Sequence, residues 1–261
     1  MVISKTDSSR KIYLFVFLAS LFIANAMIAE VIGVKLISVE KVFHLPPMHL
    51  PFLGGTKLDL NLSVGVLIWP VVFILSDVIN EYYGKRGVKR ISFMGAGMIA
   101  YAFIIIYIAT EAPPADLWLN NNAVDSAGNP FDVNFAYARL FKQGLNIIIG
   151  SLTAFLVGQL VDAYTFYYLR RLTHHRLLWL RATGSTVVSQ LFDSFLILFI
   201  AFYLLGNWSM VDVMAVFVVQ YVYKIFLAIV LTPAIYWAHH FIDRYLGKEG
   251  ANEMIDQAEK L

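Results

Sequence analysis

The stretch Trp69–Arg90 reads WPVVFILSDVINEYYGKRGVKR, and it decides how the rest of the chain is interpreted. It starts as an apolar run of membrane-helix character and carries four basic residues in its last six positions. Asp77 lies roughly 12 Å from those basic residues along a helix, because each residue adds about 1.5 Å. A carboxylate at that depth costs about 2.5–3.5 kcal/mol on insertion scales and usually faces a protein interior or a polar pathway. The stretch therefore predicts a membrane helix with a cytoplasmic end and a polar, functional face.

The apolar residues of the whole chain are concentrated in blocks. Of its 261 residues, 59% are hydrophobic and 15% are charged, against about 25% charged residues in a soluble domain. The blocks have about the 20 residues that a helix needs to cross a bilayer. We therefore expect an all-α integral membrane protein in which residues 1–261 form a single six-helix transmembrane domain. The expected spans are 12–34, 62–79, 91–109, 145–169, 182–205 and 210–238.

Lysine and arginine are unevenly distributed between the two ends of these spans. Fourteen of the 20 lie at the amino terminus, in the second and fourth connections and in the tail, and five lie in the other connections. By the positive-inside rule this bias predicts that both termini are cytoplasmic. The cytoplasmic set is Lys5, Arg10, Lys11, Lys85, Arg86, Lys89, Arg90, Arg170, Arg171, Arg176, Arg181, Arg244, Lys248 and Lys260, and the external set is Lys35, Lys41, Lys57, Arg139 and Lys142.

A cleaved secretory signal is the rival interpretation of the first block. Lys11, the apolar run and the tripeptide Ala24–Asn25–Ala26 resemble such a signal, and cleavage would leave five helices. The apolar run continues to Val34, which is too long for a signal core, so we interpret it as a membrane helix.

The external connection 38–61 contains the sequence HLPPMHLPFLGG. Its prolines exclude a long helix and its glycines permit a tight turn. The connection is either a lid over the external opening of a substrate pathway or a stiff loop. The second external connection, 111–135, is polar and is interpreted as a solvated loop.

Polar residues recur on one face of the fifth expected span. Thr183, Thr186, Ser189, Gln190 and Asp193 fall within an arc of roughly 120°. Hydrogen bonding between helices explains such a stripe for the hydroxyl residues. It explains Asp193 poorly, because Asp193 lies near the middle of the span, so we assign that residue a function.

The neighbouring spans carry matching polar residues. The fourth span ends with Gln159 and Asp162, which repeat the spacing of Gln190 and Asp193, either through a duplication or by coincidence. Lys224 lies mid-span in the sixth helix, too far from either end to snorkel freely. It therefore needs a partner, and Asp193 is the expected one, in a functional site or in a static ion pair that fixes packing.

Two further polar residues lie in the first span, and Gln220 lies one turn before Lys224. Asn25 is either a binding or a packing amide, and Glu30 lies nearer the outside. Together these donors and acceptors suit a small, planar, hydrogen-bonding solute better than a bare ion, with Trp69 as a stacking surface. The substrate-binding residues expected from these patterns are Asn25, Trp69, Gln190, Asp193, Gln220 and Lys224.

The run P-x-x-F-x-x-S-D-x-I-N-E-Y-Y-G-K, from Pro70 to Lys85, is similar to the hallmark of the queuosine-precursor transporter family, also called the putative vitamin uptake transporters. The resemblance extends over nearly the whole chain, and region 111–135 matches least. It includes residues 25–35, Gln159 with Asp162, LWLRATGSTVVSQLFDS at 178–194, Lys224, and Thr232–Pro233.

This resemblance implies a bacterial inner-membrane importer whose six helices resemble the substrate-binding subunits of energy-coupling-factor vitamin transporters. It also implies a purine-like substrate, a 7-deazaguanine base such as preQ0, preQ1 or queuine. For such a base, Asp193 or Glu30 would accept two parallel N–H donors, so Glu30 joins the expected substrate-binding residues. We expect no cofactor, no metal site and no nucleic-acid partner, and whether the chain forms a homo-oligomer stays open. We expect an inner gate or ion-pair network of Asp77, Asn80, Glu81, Gln159, Asp162, Arg181 and Ser189.

Two other functions compete with a solitary importer. The first is a substrate-binding subunit that needs a separate energising module. The second is an intramembrane enzyme that pairs Ser189 with Lys224 or uses the histidine pairs at 174–175 and 239–240. No HExxH or GxSxG motif is present, and we interpret the histidine pairs as interfacial anchors. We therefore predict that the chain is not an enzyme.

Overall fold

The computed structural model of the chain describes residues 5–51, 57–145, 147–173 and 177–260. Five of the described helices are long and apolar enough to cross a membrane, which confirms the prediction of an all-α integral membrane protein. The elements are α1 (Lys5–Ile32), β1 (Leu36–Ser38), α2 (Val39–Val42), β2 (Leu50–Pro51), β3 (Lys57–Leu58), β4 (Asn61–Ser63), a 3-10 turn (Val64–Leu67), α3 (Trp69–Glu111), α4 (Asp116–Asn121), α5 (Val133–Leu145), α6 (Ile148–Leu172), α7 (Leu178–Leu198), a π-helical turn (Phe199–Leu204), α8 (Met210–Val230), α9 (Thr232–Leu246) and α10 (Lys248–Lys260).

Helix α3 folds back on itself at Gly84, where φ is 66° and ψ is −177°, a conformation that is essentially restricted to glycine. The Trp69 ring lies 6.3 Å from the Phe155 ring, and a Cβ added at Gly95 would lie 3.7 Å from the same ring. A straight helix would hold residues 69 and 95 about 39 Å apart. The chain must therefore reverse at Gly84. We call residues 69–83 the first limb of α3 and residues 85–111 its second limb.

Replacing Gly84 with alanine is expected to destabilise the protein. The backbone conformation alone costs about 1–3 kcal/mol for a residue with a side chain. In addition, the new Cβ would lie 2.6 Å from the carbonyl oxygen of Ala258. Thermal unfolding of the purified protein in detergent measures the effect. Gly97→Ala is the matched control, because a Cβ there meets no atom within 4 Å, and equal melting of the two variants would contradict this account of the reversal.

The helices pack around two interfaces. Helix α1 and the two limbs of α3 bury large apolar residues against each other, among them Phe22 on α1 and Ile79 and Ile91 on α3, which have no measurable exposure. Between α6 and α7, a Cβ added at Gly158 would lie only 3.1 Å from the Cβ of Asp193. Glycine at this position therefore lets the two helices approach closely and holds the Asp193 side chain against α6.

The expected span 210–238 is divided between two helices. Helix α8 ends at Val230 and α9 begins at Thr232, because Pro233 lacks the N–H that would continue the hydrogen-bond ladder. The hydroxyl of Thr232 lies 3.0 Å from that of Thr183 on α7. The start of α9 is thereby fixed to the helix that carries the predicted polar stripe.

The connection between α1 and α3 forms two short antiparallel strand pairs. Strand β1 pairs with β4, with Leu36 opposite Ser63, and β2 pairs with β3. The buried Glu40 carboxylate accepts hydrogen bonds from the backbone N–H of Leu60 at 2.6 Å and from the Ser38 hydroxyl at 2.8 Å. The hydrogen bond from the backbone N–H of Leu60 lowers the pKa of Glu40, so this carboxylate stays ionised and holds the two ends of the connection together.

Candidate functional site

A small cavity lies between the first limb of α3, α6 and α7. Its volume is about 10 Å³, which is room for about one water molecule. One wall is aromatic and the other is polar, so the cavity has the two surfaces that a planar, hydrogen-bonding solute requires. The described lining residues are Trp69, Phe73, Ser76, Phe155, Gly158, Gln159, Asp162, Thr186, Ser189, Gln190 and Asp193.

The aromatic wall is built by three rings. Trp69 stacks on Phe73 with ring centroids 5.9 Å apart and an angle of 24° between the planes, and it lies 6.3 Å from Phe155 on α6. Such rings present a flat apolar face to a ligand. Sequence reasoning found Trp69 and missed Phe73 and Phe155, because no local pattern separates a lining aromatic from a packing one.

The polar wall contains acceptors that lack donors. Ser76 donates to Oε1 of Gln159 at 2.9 Å, and Ser189 donates to Oδ1 of Asp162 at 3.3 Å. The other oxygen of Asp162 and the Oε1 atom of Gln190 are buried and receive no hydrogen bond within the described ranges. A buried acceptor without a donor costs about 1–3 kcal/mol. A solute that brings N–H donors into the cavity would recover that free energy.

Lys224 reaches this site from α8 without lining the cavity. Its Nζ atom donates to Oδ2 of Asp193 at 2.6 Å, and each side chain is about one-fifth exposed (18% and 20%). This is the partner that the sequence analysis expected for Lys224. Asp193 is therefore already neutralised by a cation, whereas Asp162 in the same cavity forms no ion pair with any described residue.

Three predicted substrate-binding residues lie away from the cavity. Asn25 donates to the carbonyl oxygen of Leu21 on its own helix at 2.7 Å. Glu30 accepts a hydrogen bond from the Ser151 hydroxyl at 2.5 Å. Gln220 lies on α8 and is partly buried. The structure does not bring these residues to the cavity lining, so their roles in binding stay predictions.

Below the cavity lies a buried cluster of charges around Glu81. Arg181 donates to its carboxylate at 2.7 Å, and the two side chains are 5% and 3% exposed. Arg170 donates to the Glu81 backbone carbonyl at 3.2 Å, with its guanidinium 3.9 Å from the carboxylate. Asp77 and Asn80 are buried on the same limb. The structure thus places Asp77, Asn80, Glu81 and Arg181 together, whereas the predicted gate residues Gln159, Asp162 and Ser189 line the cavity.

Sequence reasoning missed the part that Arg170 takes in this cluster. The residue stands in a basic run, which indicates only a cytoplasmic charge, yet its side chain is 2% exposed. A run of arginines gives no local signal that one of them points inward. Only the packing of α6 against α3 shows it.

The interpretation of His239 as an interfacial anchor was wrong. The residue is buried on α9, and its ring stacks on Tyr82 with centroids 5.3 Å apart. The Tyr82 hydroxyl donates to Asp243 at 2.6 Å, so Nδ1–H of His239 donates to the hydroxyl oxygen at 3.1 Å. Burial lowers the pKa of His239, which makes it a neutral link between α9 and α3. His174 and His175 lie outside the described residues.

Comparison with known proteins assigns the sequence of this chain to a family. Residues 63–238 match the family described as "Putative vitamin uptake transporter". The chain is 28% identical over 184 residues to the "Probable queuosine precursor transporter" of Bacillus subtilis (strain 168), covering 70% of this chain and 74% of that protein. It is 27% identical over 207 residues to the "Queuosine precursor transporter" of Escherichia coli (strain K12), covering 76% and 85%. It is also 27% identical over 168 residues to the "Probable queuosine precursor transporter" of Haemophilus influenzae (strain ATCC 51907 / DSM 11121 / KW20 / Rd), covering 64% and 63%.

No solved structure matches the chain. The matching family and the three relatives are described as transporters. The prediction that the chain is not an enzyme is therefore confirmed.

Proposed function

Because this chain belongs to the putative vitamin uptake transporter family, we propose that it imports queuosine precursors, namely 7-deazaguanine bases such as preQ0 and preQ1, or queuine. The observation that carries the proposal is the cavity with an aromatic wall facing a polar wall. Such a base has a flat face for stacking and an edge rich in hydrogen-bonding groups. The names of the relatives support the same class of substrate.

The cavity supplies complementary partners for that edge. A guanine-like edge presents a ring N–H and an exocyclic amino group, two parallel donors that one carboxylate can accept. Asp162 suits this role, because one of its oxygens has no donor among the described residues and it forms no ion pair with any of them. Gln159 and Gln190 would then meet the carbonyl and ring nitrogen, while Trp69 and Phe155 stack on the base.

Binding in this cavity requires a conformational change. A volume of about 10 Å³ is far below the roughly 300 Å³ at which ligand pockets begin. The structure therefore corresponds to a closed state, and we propose that the protein opens alternately to each side of the membrane.

We further propose that the chain crosses the membrane six times with both termini in the cytoplasm. Two observations support this topology. The limbs of α3 fold back at Gly84, and the 3-10 turn Val64–Leu67 lengthens the first limb to about the 20 residues that a crossing needs. Most basic residues also lie at one end of the expected spans. The likeness to the substrate-binding subunits of energy-coupling-factor transporters rests on the family resemblance alone.

Binding to the purified protein in nanodiscs tests the proposed substrate. Isothermal titration calorimetry should detect preQ0, preQ1 or queuine, with adenine at least about tenfold weaker because it would leave a buried carboxylate oxygen without its donor. Asp162→Asn should reduce this discrimination, and the exposed Asp116→Asn should leave it unchanged. Failure of all three deazaguanines to bind, or equal binding of adenine, would overturn the assignment.

Transport by the protein alone in liposomes separates the importer from a subunit of a larger machine. We expect uptake of labelled base without any added ATP-hydrolysing partner, driven by the gradient of the base or of an ion. If the liposomes bind the base and do not accumulate it, the chain is a binding subunit that needs an energising module.

A further inference from the structure

The carboxy-terminal helix α10 lies across the end of the bundle at which α3 reverses. Its inner face buries Ala251, Met254 and Ala258, each no more than 4% exposed. The contact is close, because a Cβ added at Gly84 would lie 2.6 Å from the carbonyl oxygen of Ala258. Glycine at the reversal thus provides the space into which α10 packs.

Two polar contacts hold α10 in this position. Arg170 donates through one nitrogen to the backbone carbonyl of Ile255 at 2.8 Å and through the other to that of Glu81 at 3.2 Å. Lys11 on α1 forms an ion pair with Glu253 at 2.6 Å. The helix is therefore joined to α1, α3 and α6 by one apolar face and two polar contacts, while Asn252, Asp256 and Gln257 on its other face are exposed.

Beneath α10 lies an unusual concentration of buried polar atoms without hydrogen-bond partners. In native proteins more than about 90% of such groups are paired. The unpaired atoms extend from the cavity wall through the first limb of α3 to the charge cluster, so they form one polar track rather than scattered defects. In the described part of the chain they include Gln190 Oε1, Asp162 Oδ2, Asp77 Oδ1, Asn80 Nδ2, Glu81 Oε2, and Nε and Nη1 of Arg181.

We propose that α10 is the inner gate of the transporter and that the polar track beneath it is the inner half of the solute path. With α10 docked, as in this structure, the path is closed and its polar groups lack partners. When α10 moves away from its contact with Gly84, water and solute form hydrogen bonds with those groups. A helix that is packed on one face and exposed on the other opens more easily than one surrounded by the bundle, and closure and opening of an element over a site is a common mode of switching. This inference rests on the proposed transport function for the direction of movement.

Cysteine labelling tests the gate without any transport measurement, because the chain contains no cysteine. A Ser189→Cys reporter in the cavity wall should react slowly with a membrane-impermeant thiol reagent applied from the α10 side in oriented vesicles. Adding Ala258→Leu overfills the contact with Gly84 and should accelerate labelling by about tenfold, since overpacking disfavours the docked state. The exposed Asn252→Leu adds the same bulk to α10 and should leave the rate unchanged.

A milder second variant keeps the test decisive if Ala258→Leu does not reach the membrane. Glu253→Lys places two cations opposite each other at the contact with α1 and should also accelerate labelling of the reporter. If both disruptive variants label as slowly as the protein with an unaltered α10, then α10 does not close the path and the proposal is wrong.

Cross-linking provides the converse measurement in the full chain. A Lys11→Cys/Glu253→Cys variant joined by a cleavable bifunctional thiol reagent should lose uptake of the base and recover it when the linker is cut. Each single-cysteine variant, treated identically, should keep its uptake. Full cross-linking with undiminished uptake would overturn the gate. A different outcome would refute the proposed substrate and still support the gate. In that case no variant takes up the base, but Ala258→Leu accelerates labelling of the reporter.

Discussion

Replacing Arg181 with alanine is expected to lower the free energy of unfolding by about 3–5 kcal/mol, the usual result of removing one partner of a buried ion pair. The Glu81 carboxylate would stay buried and lose the guanidinium at 2.7 Å. Arg170 cannot replace it without moving, since it lies 3.9 Å from the carboxylate. Thermal unfolding in detergent should show a melting temperature lower by at least about 6 °C.

Two controls distinguish the ion pair from a general effect of losing arginine. Arg90→Ala removes an exposed charge from the basic cluster and should change stability by no more than about 0.5 kcal/mol. The double variant Glu81→Gln/Arg181→Met removes both charges of the pair and should regain part of the lost stability; the recovery is partial because the buried Arg170 loses the carboxylate 3.9 Å away. If Arg181→Ala melts like Arg90→Ala, the cluster around Glu81 does not stabilise the fold.

The second large effect is expected at Asp193. Asp193→Asn should reduce uptake of the base by about one to two orders of magnitude, the range that corresponds to losing a hydrogen bond to a charged group. The substitution removes a charge from the cavity wall and leaves Lys224 without its partner at 2.6 Å. Uptake must be normalised to the amount of protein in the membrane, and Asp116→Asn, at an exposed position of α4, should transport normally.

The double variant Asp193→Asn/Lys224→Gln separates a functional site from a static ion pair. A pair that only fixes packing can be replaced by two neutral residues of similar size with little loss. A carboxylate that takes part in binding or opening cannot be replaced in this way, and we expect the double variant to stay impaired. Normal uptake by the double variant would limit the pair to a structural role.

The two ion pairs, Glu81 with Arg181 and Asp193 with Lys224, lie in parts of the polar interior that we expect to have different roles. The pair between Glu81 and Arg181 is almost completely buried, whereas that between Asp193 and Lys224 is about one-fifth exposed. The first is suited to holding a closed end of the bundle together. The second lies beside the cavity, where it can exchange partners when a solute enters. Asp162 lies between the two regions and is the carboxylate that we expect a base to contact.

Much of the fold followed from local features of the sequence. The lengths of the apolar blocks predicted membrane helices because a bilayer has a fixed thickness. The pairing of Lys224 with Asp193 was also predictable, since an isolated charge in mid-membrane requires a partner and the neighbouring helix offered one. The motif from Pro70 to Lys85 was sufficient to indicate the family.

The composition of the cavity was only partly predictable. Gln190, Asp193 and Trp69 were expected there, but Asn25, Glu30 and Gln220 lie elsewhere, although Asn25 and Gln220 have depths along their own helices similar to that of Asp193. Depth follows from sequence position, whereas the direction in which a side chain points depends on the rotation of each helix against its neighbours. Helical periodicity relates residues within one helix and does not fix that rotation.

The sequence by itself therefore determined that this is an α-helical membrane protein, to which family it belongs, and which polar residues lie deep in its helices. Only the tertiary structure decided which of them meet. The reversal at Gly84 brings Trp69 to Phe155, the small residue at Gly158 brings Asp193 against α6, and the packing of α10 closes the end below Glu81. The physical reason is that these contacts join residues far apart in the chain, and close packing of complementary surfaces, which no local pattern records, selects among the arrangements that the helices allow.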